Sequence, residues 1–210
     1  MKKNSYSGKF IAFEGLDGSG LSTQAGFLKN FLMQKNIDVI LTKEPTKNSS
    51  VSEKIQEILT HKKEIDPFEF QKLFARDREE HLKNLIIPAL KQGRWVISDR
   101  YFFSSFAFGA RNEEELKKII DLNKNFLMPD LAIFLKVAPE VCVERIKKRG
   151  EEVKLFEKLE KLRQVFQNYQ ILKERYFSDI LVEVNGEGTI EEIQREVMGL
   201  VVSKFNLYHI

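Results

Sequence analysis

Residues 15–23 read Gly15-Leu16-Asp17-Gly18-Ser19-Gly20-Leu21-Ser22-Thr23. A phosphate-binding loop has the pattern G-x-x-x-x-G-K-[S/T], and this stretch fits it everywhere except at position 21, where leucine stands in place of lysine. In such a loop, backbone N–H groups surround the phosphates, the hydroxyl after the lysine holds Mg²⁺, and the lysine neutralises the outer phosphate oxygens. The sequence therefore keeps the backbone cradle and the metal-binding hydroxyl of Ser22 but lacks the charge.

The residues on either side of this loop favour a phosphate site. Residues 10–13 form a short apolar run typical of a buried strand, and apolar residues recur at helical spacing after Ser22. A glycine turn between a strand and a helix is the context that the motif requires, and the N–H groups at a helix start attract anions. A tight turn that merely joins the two elements is the alternative, against which stands the Ser22-Thr23 pair at the metal-binding offset.

Strand and helix patterns alternate along the rest of the chain. We expect further strands at residues 38–42, 95–97, 131–137 and 180–184, and helices at about 51–60, 66–91 (kinked at Pro88), 103–126, 139–149, 161–176 and from about 189 onward. Strands separated by helices pair in parallel, so the pattern predicts one α/β domain. Its five-stranded parallel sheet would be doubly wound, with helices on both faces.

Composition excludes several classes of protein. The chain has 210 residues, of which 42% are hydrophobic and 31% charged, as in ordinary globular proteins. A net charge of +3, with both signs mixed, gives no case for nucleic-acid binding. No apolar run reaches the length of about 18 residues that a membrane span needs. The one cysteine, Cys142, excludes an internal disulfide and is expected to be buried. We therefore expect a cytoplasmic protein.

Two charged residues follow the apolar run at 95–97. An acidic residue at a strand end, here Asp99, is typical of the carboxylate that orients Mg²⁺ or its waters beside a phosphate-binding loop. If this strand lies beside the loop-bearing one, Asp99 can approach Ser22. Arg100 comes directly after and indicates a site for a second anion.

Two further groups of residues allow two interpretations each. Phe70, Phe74 and Arg78 share one face of a predicted helix, where a ring beside a guanidinium can hold a planar base. The same spacing fits two core rings and an exposed arginine. The basic residues from Arg145 to Lys154 complement the end of a helix dipole, or they form a lid, at about 146–160, that brings cations over phosphates.

Together these motifs resemble the thymidylate kinases, enzymes that transfer a phosphoryl group from ATP to dTMP. The resemblance rests on matching segments in the same order, at residues 10–24, 42–45, 73–81, 87–90, 98–105, 129–131, 139–140 and 145–150. It implies a P-loop nucleoside-monophosphate kinase fold over residues 1–210, with Mg²⁺ as cofactor and ATP and dTMP as partners. It also implies a homodimer, while the mixed charge and the short apolar runs lead us to expect no nucleic-acid or membrane partner.

The resemblance assigns roles to individual residues. The ATP and phosphate site would comprise Gly15, Asp17, Gly18, Ser19, Gly20, Leu21, Ser22, Thr23, Arg145 (against the adenine) and Asn185 (in a loop that closes over it). The acceptor nucleotide would contact Pro45, Phe74 (stacked on thymine), Arg78 (bonded to the edge of the base), Arg100 (on the phosphate), Ser104, Ser105 and Phe108. Catalytic roles fall to Asp17, Arg100, Arg149 and Lys154, and the metal ligands would be Ser22 and Asp99.

The sequence departs from the family pattern at three places. Leu21 replaces the loop lysine, Glu44-Pro45-Thr46-Lys47-Asn48 replaces Glu-Pro-Gly-Gly-Thr, and Phe108 stands where a tyrosine near the sugar is usual. A kinase for another pyrimidine nucleotide, or a catalytically silent nucleotide-binding homologue, is therefore an alternative. We hypothesise that a lid cation, either Lys154, Arg149 or the pair Lys147 and Lys148, replaces the missing charge, with Arg100 bridging the phosphates.

Overall fold

The computed structural model describes residues 1–60, 63–149 and 158–209. The strands are β1 (Phe10–Gly15), β2 (Val39–Lys43), β3 (Trp95–Asp99), β4 (Leu131–Lys136) and β5 (Leu181–Asn185). The helices are α1 (Leu21–Gln34), α2 (Ser52–Leu59), α3 (Pro67–His81), α4 (Ile87–Lys91), α5 (Phe102–Gly109), α6 (Glu113–Leu122), α7 (Pro139–Arg149), α8 (Leu159–Ile171) and α9 (Ile190–Phe205). In these ranges we find no helix with both the length and the apolar character needed to cross a membrane.

All five strands form one parallel sheet in the order β2-β3-β1-β4-β5. The central strand β1 is buried at every residue, as expected for a strand covered on both faces. This arrangement confirms the parallel α/β sheet predicted from the alternation of strand and helix patterns.

Helices cover both faces of the sheet because side chains alternate between the faces along each strand. Ile11 and Phe13 belong to a core cluster shared with α1 and α9. Phe10 and Ala12 belong to a second cluster shared with α5 and α8. Cys142 lies in that second cluster, where burial raises the pKa of its thiol to about 12. The prediction that this cysteine is buried is confirmed.

Two of the predicted helices are wrong in detail. The helix expected at 66–91 begins after Asp66, whose side chain accepts bonds from the Phe68 and Glu69 N–H groups, but it is interrupted by a π-helical segment, Leu82–Ile86, just ahead of Pro88. Since proline has no N–H to donate one turn back, a wider turn ahead of it accommodates the loss. The helix expected at 103–126 is two helices, because extended Ala110 ends α5 and the side chain of Asn112 caps the start of α6.

The carboxyl ends of β1, β2 and β3 meet at one edge of the sheet. The strand register places Asp99 beside Phe13 on one side and beside Lys43 on the other. The loop after β1 begins at the same edge, which is where open parallel sheets bind their ligands. Residues far apart in sequence are therefore gathered around the start of α1.

Candidate functional site

The loop between β1 and α1 is shaped for an anion. Gly18 and Gly20 have φ angles of 85° and 98°, in the left-handed region that favours glycine. Gly20 stands at the N-cap of α1, and no side chain of the described residues caps the helix there. The first N–H groups of α1 thus lack a side-chain acceptor and are available to a ligand. A Cβ atom on Gly18 would lie 2.7 Å from the Cys142 carbonyl oxygen, so the loop packs closely on α7.

This loop lines a cavity of about 290 Å³. The predicted phosphate-site residues Asp17, Gly18, Gly20, Leu21, Ser22, Thr23 and Arg145 all border it. Gly15 and Ser19 are not among the described residues that line it. Ser19 is buried, and its hydroxyl has no hydrogen-bond partner among the described residues.

Leu21 belongs to the core rather than to the cavity chemistry. Its side chain is 6% exposed and packs in the apolar cluster between the sheet and α1 and α9. A leucine at this position contributes packing and no charge. The gap in positive charge that the sequence indicates is therefore present in the folded site.

The structure brings Ser22 and Asp99 together, as the sequence predicts. The Ser22 hydroxyl donates to Oδ2 of Asp99, while Oδ1 is buried with no hydrogen-bond partner among the described residues. A hydroxyl oxygen and an unpartnered carboxylate oxygen are hard donors of the kind that Mg²⁺ prefers. Mg²⁺ typically takes its other ligands from water and substrate phosphates, so these two residues fit the ion.

Arg100 forms hydrogen bonds with both the phosphate-binding loop and helix α5. Its backbone adopts a φ of 72°, a strained conformation for a residue with a side chain. The guanidinium donates to Asp17 Oδ1 at 2.8 Å, to the Gly15 carbonyl oxygen at 2.8 Å and to Ser104 Oγ at 3.0 Å. It also lies 5.1 Å from the centre of the Phe108 ring. Burial alone would lower the pKa of Arg100, but the surrounding negative charges, Asp17 foremost, raise it.

Glu14 forms hydrogen bonds with residues next to Arg100, and sequence reasoning missed it. It lies fully buried inside β1 and accepts bonds from the Tyr101 N–H, the Ser104 hydroxyl and the Tyr169 hydroxyl. Burial raises the pKa of its carboxyl from 4.5 to about 7, although these hydrogen bonds and Arg100 act in the opposite direction. A charged residue inside an apolar strand was the one available signal.

A second cavity, of about 330 Å³, adjoins the first. Its lining includes every residue expected at the acceptor nucleotide: Pro45, Phe74, Arg78, Arg100, Ser104, Ser105 and Phe108. The structure thus gathers in one place residues from three segments of the sequence, at 45, 74–78 and 100–108. Asp17, Lys43 and Arg100 line both cavities.

Arg78 is buried, not exposed. Its side chain is 2% exposed and donates to Glu44 Oε2 at 2.8 Å, Asn123 Oδ1 at 2.6 Å and Ser105 Oγ at 3.2 Å. The interpretation of Arg78 as an exposed helix charge is wrong. Phe70 is a core residue, whereas half-buried Phe74, whose ring centre lies 4.6 Å from that of Phe70, faces the cavity.

The segment after β2 is bonded to α3 through Arg78 and through two residues that the sequence analysis did not single out, Asp77 and His81. Glu44 bonds to Arg78 and to His81, and Thr46 donates from its N–H and its hydroxyl to the two oxygens of Asp77. All three partners lie within one and a half turns of α3. Their spacing on a single helix was the signal, but only the fold shows what they bind.

Arg145 and Asn185 are the remaining residues predicted at the ATP site. Arg145 donates from both terminal nitrogens to the Gly186 carbonyl oxygen at 3.2 Å, which joins α7 to the loop after β5. Asn185 is exposed and accepts a bond from the Glu187 N–H, and it is not among the described residues that line either cavity.

Most of the predicted lid, at about 146–160, lies outside the described residues. The Arg149 side chain, Lys154 and the centre of the predicted lid lie outside the described residues. Of the other lid candidates, Lys147 and Lys148 are exposed on α7, and Lys148 pairs with Glu144. The lid hypothesis therefore stays a prediction.

Comparison with known proteins gives a consistent result. The family model described as thymidylate kinase matches residues 13–197. A probable thymidylate kinase of Pyrococcus horikoshii is 39% identical over 199 residues, covering 92% of this chain and 96% of the relative. A thymidylate kinase of Desulfotalea psychrophila is 37% identical over 192 residues, covering 91% and 93%, and one of Francisella tularensis is 34% identical over 209 residues, covering 94% and 97%. The chain belongs to the thymidylate kinase family.

Proposed function

We propose that this protein transfers a phosphoryl group from ATP to dTMP, giving dTDP. The observation that carries the proposal is the pair of adjoining cavities, which share Asp17, Lys43 and Arg100 at the carboxyl edge of the sheet. One cavity has the glycine loop that suits a polyphosphate, and the other has an aromatic ring and a buried arginine that suit a base. Two phosphate-bearing substrates would meet at the shared residues.

The second cavity has the features required to hold a thymine nucleotide. Phe74 offers a ring face for stacking, and Arg78 offers donors at a fixed position because Glu44 and Asn123 hold its guanidinium. Arg100 lies where the two cavities join and would bind the acceptor phosphate. Its bonds to Asp17 and to the loop carbonyl hold it in place before substrate arrives.

The residues act by positioning and by charge. The acceptor phosphate oxygen is already anionic at neutral pH, so no strong protein base is needed to activate it. The N–H groups of the loop and Arg100 stabilise negative charge on the reacting phosphates, the main contribution a protein makes to phosphoryl transfer. Mg²⁺, held by Ser22 and Asp99, would supply further neutralisation of phosphate charge when bound.

The test is a coupled assay for ADP formation with ATP, Mg²⁺ and, in turn, dTMP, dUMP, UMP and dCMP. We expect dTMP to give the highest kcat/KM. A higher value for another pyrimidine nucleotide would reassign the acceptor, for which the Phe108 and Thr46 substitutions are the specific grounds. Binding of ATP without transfer to any acceptor would show that the protein is a silent homologue.

Three broader inferences rest on the family resemblance. We infer a homodimer, a cytoplasmic location and a single kinase domain whose lid lies at about residues 146–160. Sedimentation velocity at micromolar concentration tests the first, and a monomer would contradict it. Protection of the lid segment from proteolysis by ATP tests the last, because a lid closes over bound nucleotide.

A further inference from the structure

Lys43 lines the same cavity as the loop that has Leu21 in place of its lysine. It is the last residue of β2, and its Nζ lies 2.7 Å from Asp99 Oδ2 and 3.3 Å from Ser22 Oγ. Its side chain is 57% exposed, whereas that of Asp99 is 5% exposed. The ammonium group therefore sits at the mouth of the phosphate cavity and also borders the acceptor cavity.

The other cations around the phosphate cavity are engaged elsewhere. Within residues 1–60, 63–149 and 158–209, its lining contains only Lys43, Arg100 and Arg145 as cations. Arg100 is held by Asp17, and Arg145 bonds to the carbonyl oxygen of Gly186. Lys43 instead contacts the two side chains that fit Mg²⁺, so a bound metal ion would take over its partners.

Lys43 can reach a phosphate without leaving Asp99. Its ammonium group is on an exposed side chain and has three N–H donors, of which the contacts with Asp99 and Ser22 use two. A lysine side chain has four flexible carbons and carries a compact charge that suits phosphate oxygens. Because the strand register fixes the backbone of Lys43 beside Asp99, the ammonium group stays near the loop wherever it turns.

From this placement we propose that Lys43, on β2, supplies the positive charge that Leu21 lacks and binds the phosphate chain of the nucleoside triphosphate. The proposal rests on the proposed function, which provides the triphosphate substrate. Lys43 thus supplies from the end of β2 the charge that a loop lysine would supply from the start of α1. Arg100 remains with the acceptor phosphate.

The first experiment measures ATP affinity by calorimetry in EDTA, with no divalent metal, for the unmodified chain and for Lys43→Met. We expect the variant to bind ATP about tenfold to hundredfold more weakly, the loss of one charge-assisted hydrogen bond. Adenosine, which has no phosphate, should bind both proteins equally. Lys204→Met, at an exposed lysine near the end of α9, is the matched control and should bind ATP normally.

A second pair of variants separates contact with phosphate from mere neutralisation of Asp99. If Lys43 only balances Asp99, Asp99→Asn should restore metal-free ATP affinity to Lys43→Met. We expect no such recovery, but we expect Leu21→Lys to restore affinity to Lys43→Met, because it returns the charge to the loop. Recovery with Asp99→Asn, or equal metal-free affinity of Lys43→Met and the unmodified chain, would overturn the proposal.

Turnover with ATP, Mg²⁺ and dTMP distinguishes a failure of the proposed function from a failure of the role proposed for Lys43. If the unmodified chain transfers no phosphoryl group but its ATP affinity depends on Lys43, the proposed function fails and the role of Lys43 stands. If the chain is active and Lys43→Met matches it in both affinity and kcat, only the role of Lys43 fails. Lys43→Arg should keep most of the ATP affinity. That result would confirm that Lys43→Met binds ATP weakly because it lacks the charge and not because it is misfolded.

Discussion

Glu14 holds a carboxyl group where the sheet excludes water. The side chain is fully buried, and burial raises the pKa of its carboxyl from 4.5 to about 7. Its partners Ser104 and Tyr101 flank Arg100, so the state of this group affects the residue that joins the two cavities. The protonation of one residue therefore links stability to the shape of the site.

The shift of Glu14 predicts how stability changes with pH. Between pH 4.5 and 7 the folded protein holds this proton and the unfolded chain does not, so the free energy of unfolding falls as the pH rises through this window. Across the whole window the free energy of unfolding should fall by about 3 kcal/mol. We expect Glu14→Gln, which carries no charge, to gain stability relative to the unmodified chain as the pH rises from 5 to 8, measured by urea unfolding.

The control for this experiment is Glu80→Gln. Hydrogen bonds from Ser50 lower the pKa of the half-buried Glu80 carboxyl, so this group is already ionised in both folded and unfolded protein over most of that window. Its stability difference from the unmodified chain should stay flat between pH 5 and 8. An equally flat difference for Glu14→Gln would show that Glu14 does not titrate as described.

Gly18 is the loop residue least able to accept a side chain. Its φ of 85° is strained for alanine, and an added Cβ would meet the Cys142 carbonyl oxygen at 2.7 Å. We expect Gly18→Ala to lower the free energy of unfolding by about 2 kcal/mol or more and to weaken ATP binding. Gly199→Ala is the contrasting variant: it lies in α9 with open space around it and should stabilise by about 0.5–1 kcal/mol. Equal effects of the two substitutions would contradict this.

Helix α3 shapes the acceptor cavity both directly and through the segment after β2. Phe74 and Arg78 line the cavity directly. Asp77 and His81 act indirectly, since they hold Thr46 and Glu44 in the segment that forms the opposite wall. The family pattern has glycines in this segment, whereas here a threonine hydroxyl bonds to the buried carboxylate of Asp77 at 2.6 Å.

Loosening this attachment should weaken acceptor binding selectively. Asp77→Asn replaces one carboxylate oxygen that accepts from Thr46 with an amide nitrogen, which cannot accept. We expect the free energy of unfolding to fall by about 1–3 kcal/mol and the KM for dTMP to rise several-fold, with little change in the KM for ATP. The comparison variant is Glu80→Gln, because Glu80 accepts similar bonds from Ser50 but is not among the described residues that line the cavity. A matching rise in both KM values would contradict the selective role.

Sequence reasoning predicted the elements and the loop because their signals are local. Periodicity within a few residues identified the strands, and the glycine spacing identified the loop that lines the first cavity. It could not place Lys43 beside Asp99, since the two are 56 residues apart and meet only through strand register. Asp77 and Thr46, 31 residues apart, meet for a similar reason. The exposed reading of Arg78 was wrong because spacing alone does not show that Glu44 and Asn123 surround the helix face.

At the scale of the whole molecule, the carboxyl ends of the strands bring the two cavities side by side. Both are bordered by Asp17, Lys43 and Arg100. Under the proposed function, each substrate would occupy one cavity with its phosphates at the shared residues. A ligand that carries both nucleosides should therefore span the two cavities.

We expect a compound of adenosine and thymidine joined through five phosphates to compete with ATP and with dTMP in steady-state kinetics. Linking the two halves makes the second contact intramolecular, so the compound should bind more tightly than either nucleotide alone. At a concentration a hundred times its Kd it should stabilise the folded protein by about 2.7 kcal/mol, seen as a rise in Tm. The same compound with a second adenosine in place of thymidine is the matched control, and it should bind at least about tenfold more weakly because it lacks the base that Arg78 and Phe74 would recognise. Competition with only one substrate would show that the two cavities do not act as one site, and the transfer chemistry would then need a different geometry.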